Sequence, residues 1–192
     1  MAISLAKGNR ISLEKAAPGI NKILLGLGWD TRLTDGAAFD LDSSVLMLDD
    51  SGKAIGEGGF VFYGNKTSAC GSIQHSGDNL TGEGDGDDES VTIDLSKVPA
   101  NVQKIIFPVT IHDAEARNQN FGLVENAYIR MVNEDSGEEV LRYDLTEDYS
   151  IETALIFAEL YRKDGGWSFA AKGDGFEGGL QAIVEAYGLQ VA

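Results

Sequence analysis

Residues 91–95 read VTIDL. In an extended chain Val91, Ile93 and Leu95 fall on one side and Thr92 and Asp94 on the other, because successive strand side chains point to opposite faces. A strand of this kind covers a core with one face and meets water with the other. Period-two or continuous apolar runs recur between turn signals at 22–29 (KILLGLGW), 44–49 (SVLMLD), 60–64 (FVFYG), 104–113 (KIIFPVTIHD), 127–133 (AYIRMVN), 140–145 (VLRYDL), 154–161 (ALIFAELY) and 167–171 (WSFAA). Pro108 lacks the N–H that a ladder needs, so it predicts an edge strand or a bulge. The clearest helical spacing is C-terminal: in FEGGLQAIVEAYGLQ (176–190), Phe176, Leu180, Ile183, Val184 and Tyr187 recur on one face. Gly188 is placed to end that helix in a left-handed turn. The fold expected is mainly β, a β-sandwich closed by a short C-terminal helix, with residues 1–192 forming a single domain.

An internal echo accompanies this pattern. MLDDSG (47–52) and VNEDSG (132–137) both read as a strand entering a turn, and upstream of each an apolar strand ends in an aspartate, Asp30 and Asp113. The arrangement reads as a duplicated half-sandwich. Only the first copy carries FDLD (39–42); the second has VENA at the comparable place.

The balance of 15 basic against 31 acidic residues gives a net charge of −16. Such a chain repels nucleic-acid phosphates and favours cations or basic partners. Cys70 is the only cysteine, which excludes an intrachain disulfide and a CxxC motif. With no apolar leader and no uncharged apolar run of about 18 residues, the expectation is a soluble cytoplasmic protein that does not itself insert into a membrane.

One residue before VTIDL, the loop GDNLTGEGDGDDE (77–89) holds six carboxylates among four glycines and no basic residue. Neighbouring carboxylates repel by about 1 kcal/mol at 4 Å in water and about four times that near a protein surface. The loop is therefore either solvated or a cage for a cation. If FDLD is extended, Asp40 and Asp42 leave the same face while Phe39 and Leu41 turn to the core, and Asp30 ends a neighbouring strand. Hard divalent cations take oxygen ligands, and calcium takes six to eight of them, including carbonyls that glycine turns present. The spacing is not that of an EF-hand, since Leu80 and Gly82 would fall on ligand positions.

LGLGWD, FDLDSSVLML, GDNLTGEGDGDDESVTIDL and HDAEARNQNFGLVENAYIRM follow in the order and approximate spacing seen in the TerD family of tellurium resistance and stress-response proteins, which the chain resembles over nearly its whole length. The resemblance implies a calcium-binding β-sandwich of the bacterial cytoplasm without established catalytic activity. It implies a pair of Ca2+ ions, with Asp30, Asp40 and Asp42 on one side and Asp78, Glu83, Asp85, Asp87, Asp88 and Glu89 on the other. Asp113 and Glu115 either close this cage or form surface pairs, Glu115 with Arg117. The partners implied are other tellurium-resistance proteins, a membrane protein among them.

A second function uses the same acids to hold a metal for a hydrolase or phosphotransferase. The sequence favours binding over catalysis. His75 and His112 lack HxH or HExxH spacing, and Ser72, His75 and Asp78 form a triad only on paper, with no GxSxG elbow. GEGDGD lacks the lysine of a phosphate loop. A single cysteine argues against thiol-based detoxification of tellurite.

Overall fold

The computed structural model describes residues 2–30, 36–80, 86–146 and 149–190. The strands of the described residues, in chain order, are β1 (Ile3–Leu5), β2 (Arg10–Ser12), β3 (Lys22–Gly28), β4 (Leu41–Ser43), β5 (Val45–Leu48), β6 (Phe60–Val61), β7 (Ile73–His75), β8 (Glu89–Asp94), β9 (Lys104–Ile111), β10 (Tyr128–Asn133), β11 (Glu139–Asp144), β12 (Ala154–Lys163) and β13 (Gly166–Phe176). The helices are α1 (Leu13–Ala16), α2 (Ala114–Arg117) and α3 (Gly179–Ala186). One sheet runs β1-β11-β10-β3-β8-β7 and the other β2-β13-β12-β9-β5-β6, with β4 added to β9. The β1–β11 pair is parallel, and the remaining named pairs are antiparallel.

Every apolar run read from the sequence is a strand, and the mainly β sandwich with a short closing helix is the fold observed. Val91, Ile93 and Leu95 are buried while Thr92 and Asp94 are only partly so, which is the alternation that VTIDL requires. Between the sheets, Ile23, Leu25 and Leu27 of β3 share one core with Ile105, Phe107 and Val109 of β9 and with Leu155 and Phe157 of β12. A smaller cluster lies on the outer face of the second sheet, where Ile183 and Val184 of α3 cover Leu46, Leu48, Ile106 and Ile156. β5, β9 and β12 are therefore buried on both faces, which accounts for their continuous apolar sequences. Three strands lay beyond sequence reading: β1, β2 and β7 have three residues each, too few to display a period.

Pro108 corrects one expectation and meets the other. β9 is internal, not an edge. On one side β5 pairs with residues 104–106 and β4 with 109–111, so Pro108 sits at the break between them, its carbonyl accepting the Ser44 N–H at 2.9 Å. On the other side the β12 register shifts between Ile156 and Ala158, the bulge that a missing donor leaves.

The echo in the sequence has a counterpart in the chain path. β3 lies in the first sheet and the β5–β6 hairpin that follows lies in the second; β9 lies in the second sheet and the β10–β11 hairpin lies in the first. Each half thus places its hairpin against the other half's strand. Matching backbone bonds close the crossings, from Asp30 N–H to Glu125 O at 3.0 Å and from His112 N–H to Asp40 O at 2.9 Å. This topology gathers residues 36–40, 76–80, 86–88, 112–127 and 149–153 at one end of the sandwich.

Gly26, in the middle of β3, shows how tightly that end is built. A Cβ there would overlap the carboxylate of Asp87, which crosses β3 to reach Arg130 on β10. Gly26→Ala is expected to destabilise the fold by about 1–3 kcal/mol through overpacking. Gly166→Ala, whose Cβ would meet only a carbonyl at 3.9 Å, should change stability by less than about 0.5 kcal/mol. Denaturant unfolding of the two variants beside the parent checks the contrast.

Candidate metal centre

β4 delivers the first acids. Phe39 and Leu41 point into the core, as the alternation predicts, and Asp40 and Asp42 are carried with them to 4 % and 8 % exposure. Asp78, exposed on the segment that leaves β7, completes a group with one carboxylate oxygen from each acid within 4.8 Å of the others. Asp40 and Asp42 thus meet an acid from over thirty residues away. Asp40 Oδ1 is buried and has no hydrogen-bond partner among the described residues. An unsatisfied buried polar atom costs about 1–3 kcal/mol, more when charged, and in a group supplied only by carboxylates a cation is the natural partner. Burial, then the charges of Asp40, Glu89 and Asp78, push the Asp42 carboxyl up to about 7, against the opposing pull of His112. Burial and Asp78 raise that of Asp40.

The remaining predicted acids hold the frame around this group. Glu89 is buried; Oε2 accepts the Ser43 N–H at 2.7 Å and the Ser43 hydroxyl at 2.6 Å, and Oε1 accepts the Asn79 N–H at 3.4 Å. Asp88 accepts the Trp29 N–H at 2.9 Å and the Asn79 amide at 3.2 Å, and burial raises its carboxyl. Asp87 accepts two bonds from Arg130, from Nε at 2.8 Å and Nη2 at 3.0 Å, and a third from the Tyr128 hydroxyl at 3.1 Å. It stands apart from the three-acid group. Asp30 is exposed and accepts the Asn126 amide at 2.6 Å. Glu83 and Asp85 lie outside the described residues.

Sequence reasoning missed the polar residues that fix these acids. His75 is buried rather than catalytic: Nδ1 accepts the Gly77 N–H at 3.0 Å, which leaves the proton on Nε2, 3.0 Å from the Ser43 carbonyl and 2.8 Å from its hydroxyl. Ser72 instead contacts Cys70 at 3.0 Å, so the paper triad does not form. The available signal was alternation, since Ile73 and His75 share the inward face of β7. His112 stands at the rim, Nδ1 3.6 Å from Asp42 and Nε2 3.5 Å from Asp113. Glu115 and Arg117 form no ion pair among the described residues. With Asp42, Tyr63, Thr153 and the start of α3, His112, Asp113 and Glu115 line an open cleft of about 610 Å³.

The model of the TerD domain matches residues 1–187. The chain belongs to the TerD family. The TerD relatives include General stress protein 16U of Bacillus subtilis (strain 168), 58 % identical, and Tellurium resistance protein TerD of Serratia marcescens, 56 % identical, each aligned over all of both chains. The crystal structure of a homologue of telluride resistance protein (TerD) from Streptomyces coelicolor A3(2) superposes with a TM-score of 0.71 at 23 % identity, covering 86 % of this chain and 96 % of that one, and shows the TerD fold alone. Among the described residues no helix is long and apolar enough to cross a membrane.

The raised Asp42 carboxyl fixes a pH dependence. Its folded value of about 7 lies above the ordinary 3.8, so the folded state holds the proton more tightly and stability falls as pH rises from about 4 to 7. Asp40 and Asp88 act in the same direction. Thermal melts of chelator-treated protein should therefore show a melting temperature that declines across this window. Asp42→Asn is expected to flatten the slope; an unchanged slope in the variant would assign it to other groups.

Proposed function

We propose that this TerD-family protein is a calcium-binding module of a bacterial tellurite and stress resistance system. The reading takes a pair of Ca2+ ions, one at Asp40, Asp42 and Asp78 and the other among Asp30, Asp88 and the acids of the 77–89 loop other than Asp87, which Arg130 holds. The observation that carries it is the buried, unpartnered Asp40 Oδ1 inside a group of three converging carboxylates. The donors are all oxygens, and the glycine-rich loop adds carbonyls, which suits a large hard cation better than magnesium with its octahedral shell of retained waters. Bound calcium would offset the mutual repulsion of the acids. Asp40, just before β4, and Asp42 on it hold the buried side of the site, while Asp78 supplies the exposed side, so loading changes the charge of one end of the sandwich. That change switches association with a partner or membrane complex. Other tellurium-resistance proteins are the partners proposed, and the bacterial cytoplasm is the compartment.

A second reading, a metal-dependent hydrolase or phosphotransferase, is favoured by one observation. His112 stands between Asp42 and Asp113 beside the cleft, where a base with a positioning partner would be needed. Phosphatase and nuclease turnover that requires metal and is lost in His112→Gln would favour this reading.

Calcium bound only by the native state stabilises it by about 2.7 kcal/mol at a hundredfold excess over Kd. Calorimetry should show Asp42→Asn weakening calcium binding by at least about tenfold, since a charge is removed while shape and one carbonyl oxygen remain. Asp94→Asn is the control, because Asp94 bonds Ser96 and Asn21 away from the cluster. Equal losses in both variants would reduce the effect to overall charge.

A further inference from the structure

The large hydrophobic side chains exposed among the described residues are Tyr63, Leu80, Leu123 and Ile151, at 40, 58, 47 and 58 % exposure. Scattered singly over a surface they would need no explanation. All four lie instead at the end of the sandwich that carries the acids. Leu80 follows Asp78 by two residues, on the acidic loop. Tyr63, just beyond β6, lines the cleft together with Asp42. Leu123 and Ile151 stand on the β9–β10 and β11–β12 connections, which the Phe121 N–H joins to the Glu152 carbonyl at 2.9 Å. The opposite end, formed by the turns near residues 50, 99, 135 and 164, exposes no large hydrophobic side chain among the described residues.

The arrangement decides the kind of surface that would cover these side chains. They stand on separate segments, and of the four only Tyr63 lines the cleft. A folded partner would need a matching pocket for each, whereas the boundary of a bilayer closes around each side chain independently. Charge decides the kind of bilayer. A chain of net charge −16 is repelled by an anionic leaflet. A zwitterionic headgroup offers its phosphate to the calcium-neutralised cluster and its ammonium to the exposed carboxylates of Asp113 and Glu115.

We propose that the loaded acidic end docks peripherally on a zwitterionic phospholipid surface, with Leu80, Leu123 and Ile151 entering the boundary between headgroups and acyl chains and Tyr63 resting among the headgroups. No chain segment crosses the bilayer. The inference rests on the calcium reading, because without a cation the acids of the same end would have to give up their water unpaired. Aromatic side chains with a polar tip suit the headgroup layer, and branched aliphatic ones suit the layer below it.

The test is flotation with vesicles of phosphatidylcholine and phosphatidylethanolamine, and with vesicles in which phosphatidylglycerol replaces much of the zwitterionic lipid, in calcium or in chelator. Leu80→Ser and Ile151→Ser, singly and together, are compared with the parent, and calorimetry without lipid measures the calcium affinity of each. Because both side chains are exposed, the variants should melt with the parent. The expected result is flotation on zwitterionic vesicles only in calcium, weakened about tenfold by each substitution, with calcium affinity changed by less than about twofold. Undiminished flotation of the double variant, flotation equal in chelator, or stronger flotation on phosphatidylglycerol vesicles overturns the proposal. So does a protein that binds calcium by calorimetry yet floats on neither vesicle, which would assign the same end to a protein partner. Absence of calcium binding in the parent overturns the calcium reading and this inference together.

Discussion

Glu89 enters the interior of the sandwich as a carboxylate held by donors from other segments, and the geometry of the acidic end depends on it. Its partner Ser43 belongs to β4, which joins the second sheet, whereas Glu89 and His75 belong to β8 and β7 of the first. The Ser43 hydroxyl lies 2.6 Å from Glu89 and 2.8 Å from His75, so three strands of two sheets meet at one side chain. A buried carboxylate is strongly unfavourable unless fully bonded, and this one is bonded only when the sheets are in register. Ser43 follows Asp42, Glu89 follows Asp88, and Asp78 lies three residues beyond His75. Fixing the network therefore fixes the acids.

From this frame follows a division of labour among residues of one chemical type. Asp87 and Asp88 stand next to each other, yet Asp87 crosses Gly26 to Arg130 and Asp88 turns to the backbone of Trp29. Both brace the end of β3. Asp40, Asp42 and Asp78 converge instead, at the expense of mutual repulsion visible in the raised carboxyl of Asp42. Asp87 and Glu89 have donors, whereas Asp40 Oδ1 in the three-acid group has none among the described residues. That contrast, rather than the number of acids, is what distinguishes a cation site from a solvated acidic surface.

The sequence made the strands legible because their burial is periodic. Val91, Ile93 and Leu95 show it on a strand buried on one face, and the run 104–111 shows it as continuous apolar residues on a strand buried on both. The convergence of Asp40 and Asp42 was also legible, through the alternation of FDLD. The roles of Asp87 and Glu89 were not, because nothing in a run of acids shows which will meet Arg130 or Ser43, 43 and 46 residues away. The role of His75 was illegible for the same reason: Ser43, which its Nε2 meets, comes from the other sheet. Pro108 was read correctly as a ladder defect and incorrectly as an edge, since a single proline does not reveal that β4 and β5 divide one side of β9 between them.

The most direct measurement is a crystal structure of the protein grown with calcium, with anomalous diffraction locating the ion. The account predicts a cation about 2.3–2.6 Å from oxygens of Asp40, Asp42 and Asp78, with Asp40 Oδ1 among its ligands and the Asp87–Arg130 pair intact. A calcium ion bound elsewhere while these three carboxylates stay without one, or an ion held by Asp87 after it leaves Arg130, would contradict it.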